Sequence, residues 1–516
     1  MSIELSKLKE FLEQTFSAKN IEELTSEIFN TVLNNNIEIY KKVKDFMKDD
    51  LSNDFMQVVY QYYLADREKT KQDFTPISIC KMVQKLSETK EEKNVIDLCA
   101  GTGALTIQKW NKQKELKYTC KEYTEDTIPY LLFNLAIRNI DAMVYQEDVL
   151  TKEILKVYKV IPCEEFAKVE ETQEKLEKYS SCISNPPYNI GWNIPIMANA
   201  QSRFLGFEVP PSSNANYAFI LTALDEIKEK AVFVLPCGVL TTTNKKEEDI
   251  RRKIISDNLI ESVIILPDKM FESTNIPTCL IVFNKNKISN YVEMVDLRKS
   301  YDIEIREQKG QYGGNSHTNR VYEKEVKVIS EKTMNEVCEM IANNKNIVEK
   351  CKSVDLKTIA ENEYILTPSR YIEFETKING RNINDIVSDL NRCISLKNAC
   401  KLTINETTAR GLGFENSLYK NDIFFDELNK TLKNNEFQTI QKENHITLTK
   451  NKNEMTFSNG SKETHSHLLT FALNAWKQHI VFMNTEENRY LAELRDVLLE
   501  KLMSGEFNLE EKAWEE

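Results

Sequence analysis

Between residues 94 and 285 the chain alternates short apolar runs with stretches of helical period, and this alternation constrains the fold more than any other feature. The runs are NVIDLCA, KYTCKEY, DAMVYQEDVL, SCISNPPY, AVFVLPCGVL, ESVIILP and TCLIVFNK. Strands interleaved with crossover helices predict an α/β fold built on a doubly wound, mostly parallel sheet. Residues 1–70 carry apolar positions at three-to-four spacing and predict a helical N-terminal domain. Residues 151–180, between the third and fourth strands, are charged and predict a solvated helix. After about residue 290 the pattern turns mixed and polar, with a Gly-rich loop at KGQYGGNSH and a second helical stretch from about 380. A heptad rhythm then runs through Leu473, Trp476, Ile480, Met483, Glu487, Tyr490, Leu494 and Val497, which suits a long helix that pairs with another or packs on its own domain.

Composition narrows the chemistry. At 516 residues the chain exceeds one core and suits about three domains. Its 41% hydrophobic and 29% charged residues are those of an ordinary soluble protein. No run reaches the roughly 18 apolar residues of a membrane span, so no membrane partner is expected. The opening MSIELSKLKEFLEQTF is an amphipathic helix pattern and not a signal peptide. Eleven cysteines are scattered with no CxxC pair, as expected for free thiols in a cytoplasmic protein. The net charge of −12 argues against unaided gripping of nucleic acid, which needs clustered Lys and Arg, so a basic partner or a local basic cleft would have to supply that attraction. The first of five histidines is His317, so residues 1–316 can hold no His base, Ser-His pair or His-ligated metal. Most hydrolases are thereby excluded, and no metal is expected.

Gly101 and Gly103 are the only glycines in the first 190 residues, and both lie in VIDLCAGTGAL. A strand ending at Asp97 enters a tight turn there, and a helix follows from Ala104. Such a turn lets a ligand approach the backbone at the carboxyl ends of parallel strands. The position of a third phosphate-binding glycine is Thr106, and no GK[ST] follows, so an adenosyl ligand fits better than a dinucleotide. The alternative is a strand–helix turn with no ligand. Glu122 ends the next strand, where an acid accepts from ribose hydroxyls. Asp148 ends the strand after it and could face an adenine amino group. Singly, each would be an ordinary carboxylate; three strand-end acids together are less easily accidental. SNPPYNIG stops a strand, because Pro186 and Pro187 lack N–H groups and cannot continue one. It is either a rigid turn or a platform presenting an amide, a carbonyl and an aromatic ring.

With DLCAGTGAL, Glu122, Asp148 and NPPY in that order, the chain resembles the S-adenosyl-L-methionine-dependent methyltransferases that modify the adenine amino group in DNA. The resemblance implies a Rossmann-like class I methyltransferase fold. It makes Asn185, Pro186, Pro187 and Tyr188 the catalytic loop, with the Asn185 oxygen and the Pro186 carbonyl accepting the amino hydrogens and Tyr188 stacking on an extruded base. It implies cofactor contacts from Thr75, Pro76, Asp97, Ala100, Gly101, Thr102, Gly103, Glu122, Asp148 and Asn185. Thr75 and Pro76 sit in QDFTPISICKMV, which on local grounds alone is a Thr cap with Pro at the first helical position. Phe271, in LPDKMFESTNIPTCLIVFNK, takes the family's place opposite Tyr188 about the base; on its own it would be a core aromatic. The loop after the catalytic strand, rich in Pro, Asn and Ser, could order over substrate.

The resemblance narrows to modification subunits of type I restriction-modification systems through FVLPCGVLTTTNKKEEDIRRKII and ENEYILTPSRYIEF, over residues 20 to about 375. The implied partners are double-stranded DNA, a specificity subunit and a restriction subunit. The closing EENRYLAELRDVLLEKLMSGEFNLEE resembles the distal helix of specificity subunits. The expected division is a helical domain at 1–70, the methyltransferase domain at 71–300, its extension at 301–400 and a partner-docking region at 401–516. Two alternatives keep the same residues: a methyltransferase for another planar amine (an RNA base or a protein glutamine), and a non-catalytic cofactor-binding assembly subunit.

Overall fold

The computed structural model describes residues 5–63, 75–174, 178–271, 276–309, 321–373, 382–411, 438–442, 445–450, 453–458, 480 and 483–498. The chain divides into two compact units, Met1–Phe374 and Glu375–Glu516.

The first unit opens with four helices: α1 (Leu5–Thr15), α2 (Ile21–Leu33), α3 (Ile37–Phe46) and α4 (Phe55–Tyr63). After α5 (Ile77–Leu86) the chain alternates through β1 (Asn94–Asp97), α6 (Ala104–Lys112), β2 (Lys117–Glu122), α7 (Ile128–Ile137) and β3 (Ala142–Asp148). Next come β4 (Glu153–Ile161), β5 (Lys168–Glu171), β6 (Tyr179–Ser184), α8 (Asn216–Glu226), β7 (Ile227–Pro236) and α9 (Lys245–Ser256). The unit continues with β8 (Ile260–Ile265), β9 (Thr278–Asn284), β10 (Tyr291–Asp296), a ribbon of β11 (Asp302–Lys309) and β12 (Val321–Val328), then α10 (Glu331–Ala342), β13 (Cys351–Asp355) and α11 (Leu356–Glu361).

One eleven-stranded sheet has the order β13-β10-β8-β9-β7-β6-β1-β2-β3-β4-β5. Only β4, β9 and β13 run against the other eight strands, so the sheet is mostly parallel, as the alternation predicts. The order reverses at β1, which lies between β6 and β2, and ligands of such sheets bind beyond the strand ends at that point. Both faces are covered, and β7 shows how. Its Val232 and Val234 join a core with α2 and α7, while Ala231, Phe233 and Leu235 join a second core with α8 and α9. Each Val, Leu or Phe side chain so buried stabilises by about 2 kcal/mol. The first core also takes Leu12, Leu24, Ile28, Val32 and Tyr40 from the N-terminal helices.

The described residues within 151–180 depart from expectation, because they form the strands β4 and β5 and the start of β6 and not a solvated helix. The Lys and Glu content suits a helix locally. The edge of β3 offers an unfilled hydrogen-bonding ladder, however, and EILKVYKVI carries the β-branched and aromatic residues that suit it. Val157, Tyr158 and Val160 are buried there. Tertiary pairing outweighs local charge.

The second unit contains α12 (Ile383–Gly411), a helix at 483–498 and a three-stranded antiparallel sheet of β14 (Gln438–Lys442), β15 (His445–Lys450) and β16 (Asn453–Ser458). The heptad helix pairs with α12: Cys393 Sγ donates to the Met483 carbonyl at 3.3 Å, and Lys397 forms an ion pair with Glu487. Leu473, Trp476 and most of the Gly-rich loop lie outside the described residues. Among the described residues no helix is long and apolar enough to cross a membrane.

Candidate active site

The Gly turn is shaped by two backbone demands. Gly101 has φ +55 and Gly103 φ +101, both in the region that favours glycine. A Cβ on Gly103 would also lie 3.0 Å from Leu131 Cδ1 of α7, whereas none on Gly101 would meet an atom within 4 Å. The turn therefore packs against the helix on one side and stays bare on the other. Its bare side, with Ala100, Gly101 and Thr102, lines a cavity of about 690 Å³ at the carboxyl ends of β1, β2, β3 and β6.

Buried acids hold the turn in place. Glu122 accepts from Gly101 N at 2.9 Å through Oε2 and from Thr124 N at 2.8 Å through Oε1. The Thr124 hydroxyl and the Tyr123 N–H also hydrogen-bond to this carboxylate. Asp54 caps α4 by accepting from Gln57 N at 2.9 Å, and it also accepts from Thr102 Oγ1 at 2.6 Å and Asn134 Nδ2 at 2.7 Å. Asn134 in turn receives Arg138 Nη1 at 2.9 Å. Asp97 accepts from Thr106 Oγ1 at 3.0 Å, inside the start of α6. Burial pushes the Asp54 and Glu122 carboxyls up, and the Asp97 carboxyl up to about 7. Asp148 lines the cavity and accepts from Leu150 N at 2.9 Å through Oδ1.

NPPY leaves β6 at the same cavity, where Asn185, Pro186, Pro187 and Tyr188 all form part of the wall. Asn185 Nδ2 donates to Thr75 Oγ1 at 2.9 Å, and the Tyr188 hydroxyl donates to Asn185 Oδ1 at 2.7 Å. The amide is thus held in one orientation by two partners. Thr75 is not the helix cap that its local sequence suggests; Pro76 occupies that position, without a side-chain cap. The Tyr188 and Phe271 rings meet edge to face, 6.3 Å between centroids at 80°. That contact closes the space between them, so a base could enter there only by moving one ring.

Thr75, Ala100, Gly101, Thr102, Glu122, Asp148 and the NPPY residues line one cavity, while Pro76, Asp97, Gly103 and Phe271 are not in its wall. Sequence reading missed Asp54, Gln57, Tyr123 and Asn193. Asp54 before the apolar run from Phe55 is a visible helix-start signal, but its partner Thr102 is 48 residues away and was not. Tyr123, 64% exposed at the cavity, follows a strand-end acid and could have been found by adjacency.

The chemistry of the wall fits an adenosyl ligand. Glu122, Glu125, Glu147 and Asp148 line it, and the only cation among the described lining residues, Lys121, is paired with Glu147 and Glu226 at 3.0 Å each. Such a wall repels phosphates and suits hydroxyl, amino and cationic groups. Residues 48–379 match the family described as N-6 DNA Methylase. The chain belongs to that family. Among its relatives, the Type I restriction enzyme MjaVIII methylase subunit of Methanocaldococcus jannaschii is 22% identical over 352 residues, 66% of this chain and 57% of the relative. The MpnII methylase subunit of Mycoplasma pneumoniae is 25% identical over 363 residues, 66% of this chain and 61% of the relative. The chain thus spans less than two thirds of the length of these relatives. Among solved structures, a type I restriction-modification methyltransferase subunit from Streptococcus thermophilus aligns with a TM-score of 0.50 at 20% identity, covering 72% of this chain and 80% of that one. This likeness carries the fold.

Proposed function

We propose that the chain methylates the exocyclic N6 of an adenine extruded from duplex DNA, using S-adenosyl-L-methionine, as the modification subunit of a type I restriction-modification system in the cytoplasm. The observation that carries this reading is the Asn185 amide, oriented by Thr75 and Tyr188 at the edge of the acid-lined cavity.

Each residue has a physical task in it. Glu122, at the cavity wall, accepts from the ribose hydroxyls, and Asp148 accepts from the adenine amino group of the cofactor. The bare surface at Gly101 lets the ligand lie against the backbone. When bound, S-adenosyl-L-methionine supplies an electrophilic methyl group on a sulfonium. Asn185 Oδ1 and the Pro186 carbonyl each accept one hydrogen of the target amino group, which draws the nitrogen lone pair out of conjugation with the ring. Pro186 and Pro187 keep these acceptors from relaxing with the substrate, so little reorganisation is needed at the moment of transfer. Tyr188 stacks on the extruded base.

The net charge of −12 favours a separate specificity protein for DNA affinity and sequence reading. The full chain, incubated with methyl-labelled S-adenosyl-L-methionine and plasmid DNA, is expected to label N6-methyladenine when its specificity protein is present. Label on RNA or on protein glutamine, or none on DNA with the partner added, overturns the reading.

A further inference from the structure

The segment after NPPY leaves the site at Asn189 and returns at Asn216, and its feet are tied. Asn189 N donates to Asn216 Oδ1 at 3.1 Å, and Asn216 Nδ2 donates back to Asn189 Oδ1 at 2.9 Å. Ala215 N donates to the Ile190 carbonyl and Trp192 N to the Ser212 carbonyl, each at 2.8 Å. The Trp192 indole donates to the Pro211 carbonyl at 3.0 Å, and a Cβ on Gly191 would lie 3.3 Å from Ser212 O. Further along, Ala198 and Phe204 are buried, and the buried Arg203 guanidinium donates to the Val149 carbonyl and the Thr222 hydroxyl.

Between these two clamps the chain presents a short aliphatic tip. Asn193 still lines the cavity. Beyond it Ile194 is 39% exposed, Ile196 96% and Met197 75%, with Met197 held at φ +63. Single exposed aliphatics are common on surfaces and need no account. Three within four residues, on a loop tied at both ends and starting from the cavity wall, form a rigid apolar point beside the place where a base enters.

We infer that Ile196 and Met197 are a wedge that enters the DNA base stack where the target adenine leaves it. This rests on the reading of the site as acting on adenine in duplex DNA. Extrusion leaves an apolar gap between neighbouring base pairs and loses their stacking on the extruded base. An aliphatic side chain in the gap restores contact with both neighbours and excludes water, as apolar wedges do when they unstack a duplex. A polar tip would gain nothing from the gap. The tied feet keep the wedge at a set distance from Asn185, so insertion and base capture are geometrically linked.

The test uses the full chain with its specificity protein and a duplex carrying an adenine that the wild-type complex methylates. The double variant Ile196→Ala/Met197→Ala is expected to lose roughly tenfold or more in kcat/KM on the paired duplex. On the same duplex with an abasic site opposite that adenine, where extrusion needs little help, it should return to within about twofold of wild type. The variant Ile196→Leu/Met197→Leu, which keeps an aliphatic tip, should retain activity on both. An equal loss on both duplexes, no loss on either, or failure to copurify with the specificity protein overturns the wedge; the last outcome would make the tip a protein interface. If wild type methylates neither duplex, it is the underlying reading that fails.

Discussion

Strands β1 and β6 lie side by side, and their two ends bury polar groups in opposite ways. At the amino end, Lys109 and Glu92 meet at 2.8 Å with side chains only 0% and 1% exposed. Ser87 accepts from Lys109 at 3.0 Å, while Gln113 at 3.0 Å and Ser181 donate to Glu92. Burial lowers the Lys109 ammonium, and Glu92 opposes that shift. The charges close on one another. At the carboxyl end, Asp54, Asp97 and Glu122 are also buried, but no ion pair holds them among the described residues; hydroxyls, amides and backbone N–H groups do. Burial drives all three carboxyls up. A buried polar cluster that neutralises itself is a clasp, whereas one short of positive charge beside a cavity is prepared for a ligand.

The contrast can be broken at either end. The largest effect is expected from Asn185→Ala at the open end, which removes one of the two acceptors for the amino group. Methyl transfer should fall by about 10³-fold in kcat, while calorimetric affinity for S-adenosyl-L-methionine stays within a few-fold of wild type. Parallel loss of cofactor affinity would make Asn185 part of the scaffold instead. At the closed end, Lys109→Met strands the Glu92 carboxylate and should cost about 3 kcal/mol of stability in denaturant unfolding. Turnover per folded molecule should be unchanged there; a fall in kcat would mean that the two ends are coupled through β1. The smallest effect is expected from Thr75→Val, which removes the hydroxyl that accepts from Asn185 Nδ2. Losing that bond should lower kcat by about tenfold with little change in unfolding midpoint. An unaltered kcat would show that the amide keeps its orientation without Thr75.

Much of the open end was legible in the sequence because its signals are local. A strand stops where Pro186 and Pro187 follow Asn185, and the turn needs Gly101 and Gly103 for its positive φ angles. Glu122 and Asp148 are strand-final residues that line the cavity. Asp97 has the same local signature, yet it lies outside the wall and takes the Thr106 hydroxyl. The three acids look alike in one dimension because nothing local tells which way the last residue of a strand turns. The closed end was silent, since Glu92, Lys109 and Ser181 are ordinary residues until the fold brings them together.

By itself the sequence determined the alternation of strands and helices, the turn at Gly101–Gly103 and the stop at NPPY, because backbone preference and hydrophobic period act over a few residues. Only the tertiary structure decided that the charged segment at 153–161 pairs onto β3 and that at 168–171 onto β4, that Asp54 holds Thr102, that Thr75 orients Asn185, and that Ile196 and Met197 stand exposed beside the cavity. Those outcomes depend on partners tens of residues away, whose contact energies outweigh the local preferences from which a sequence is read.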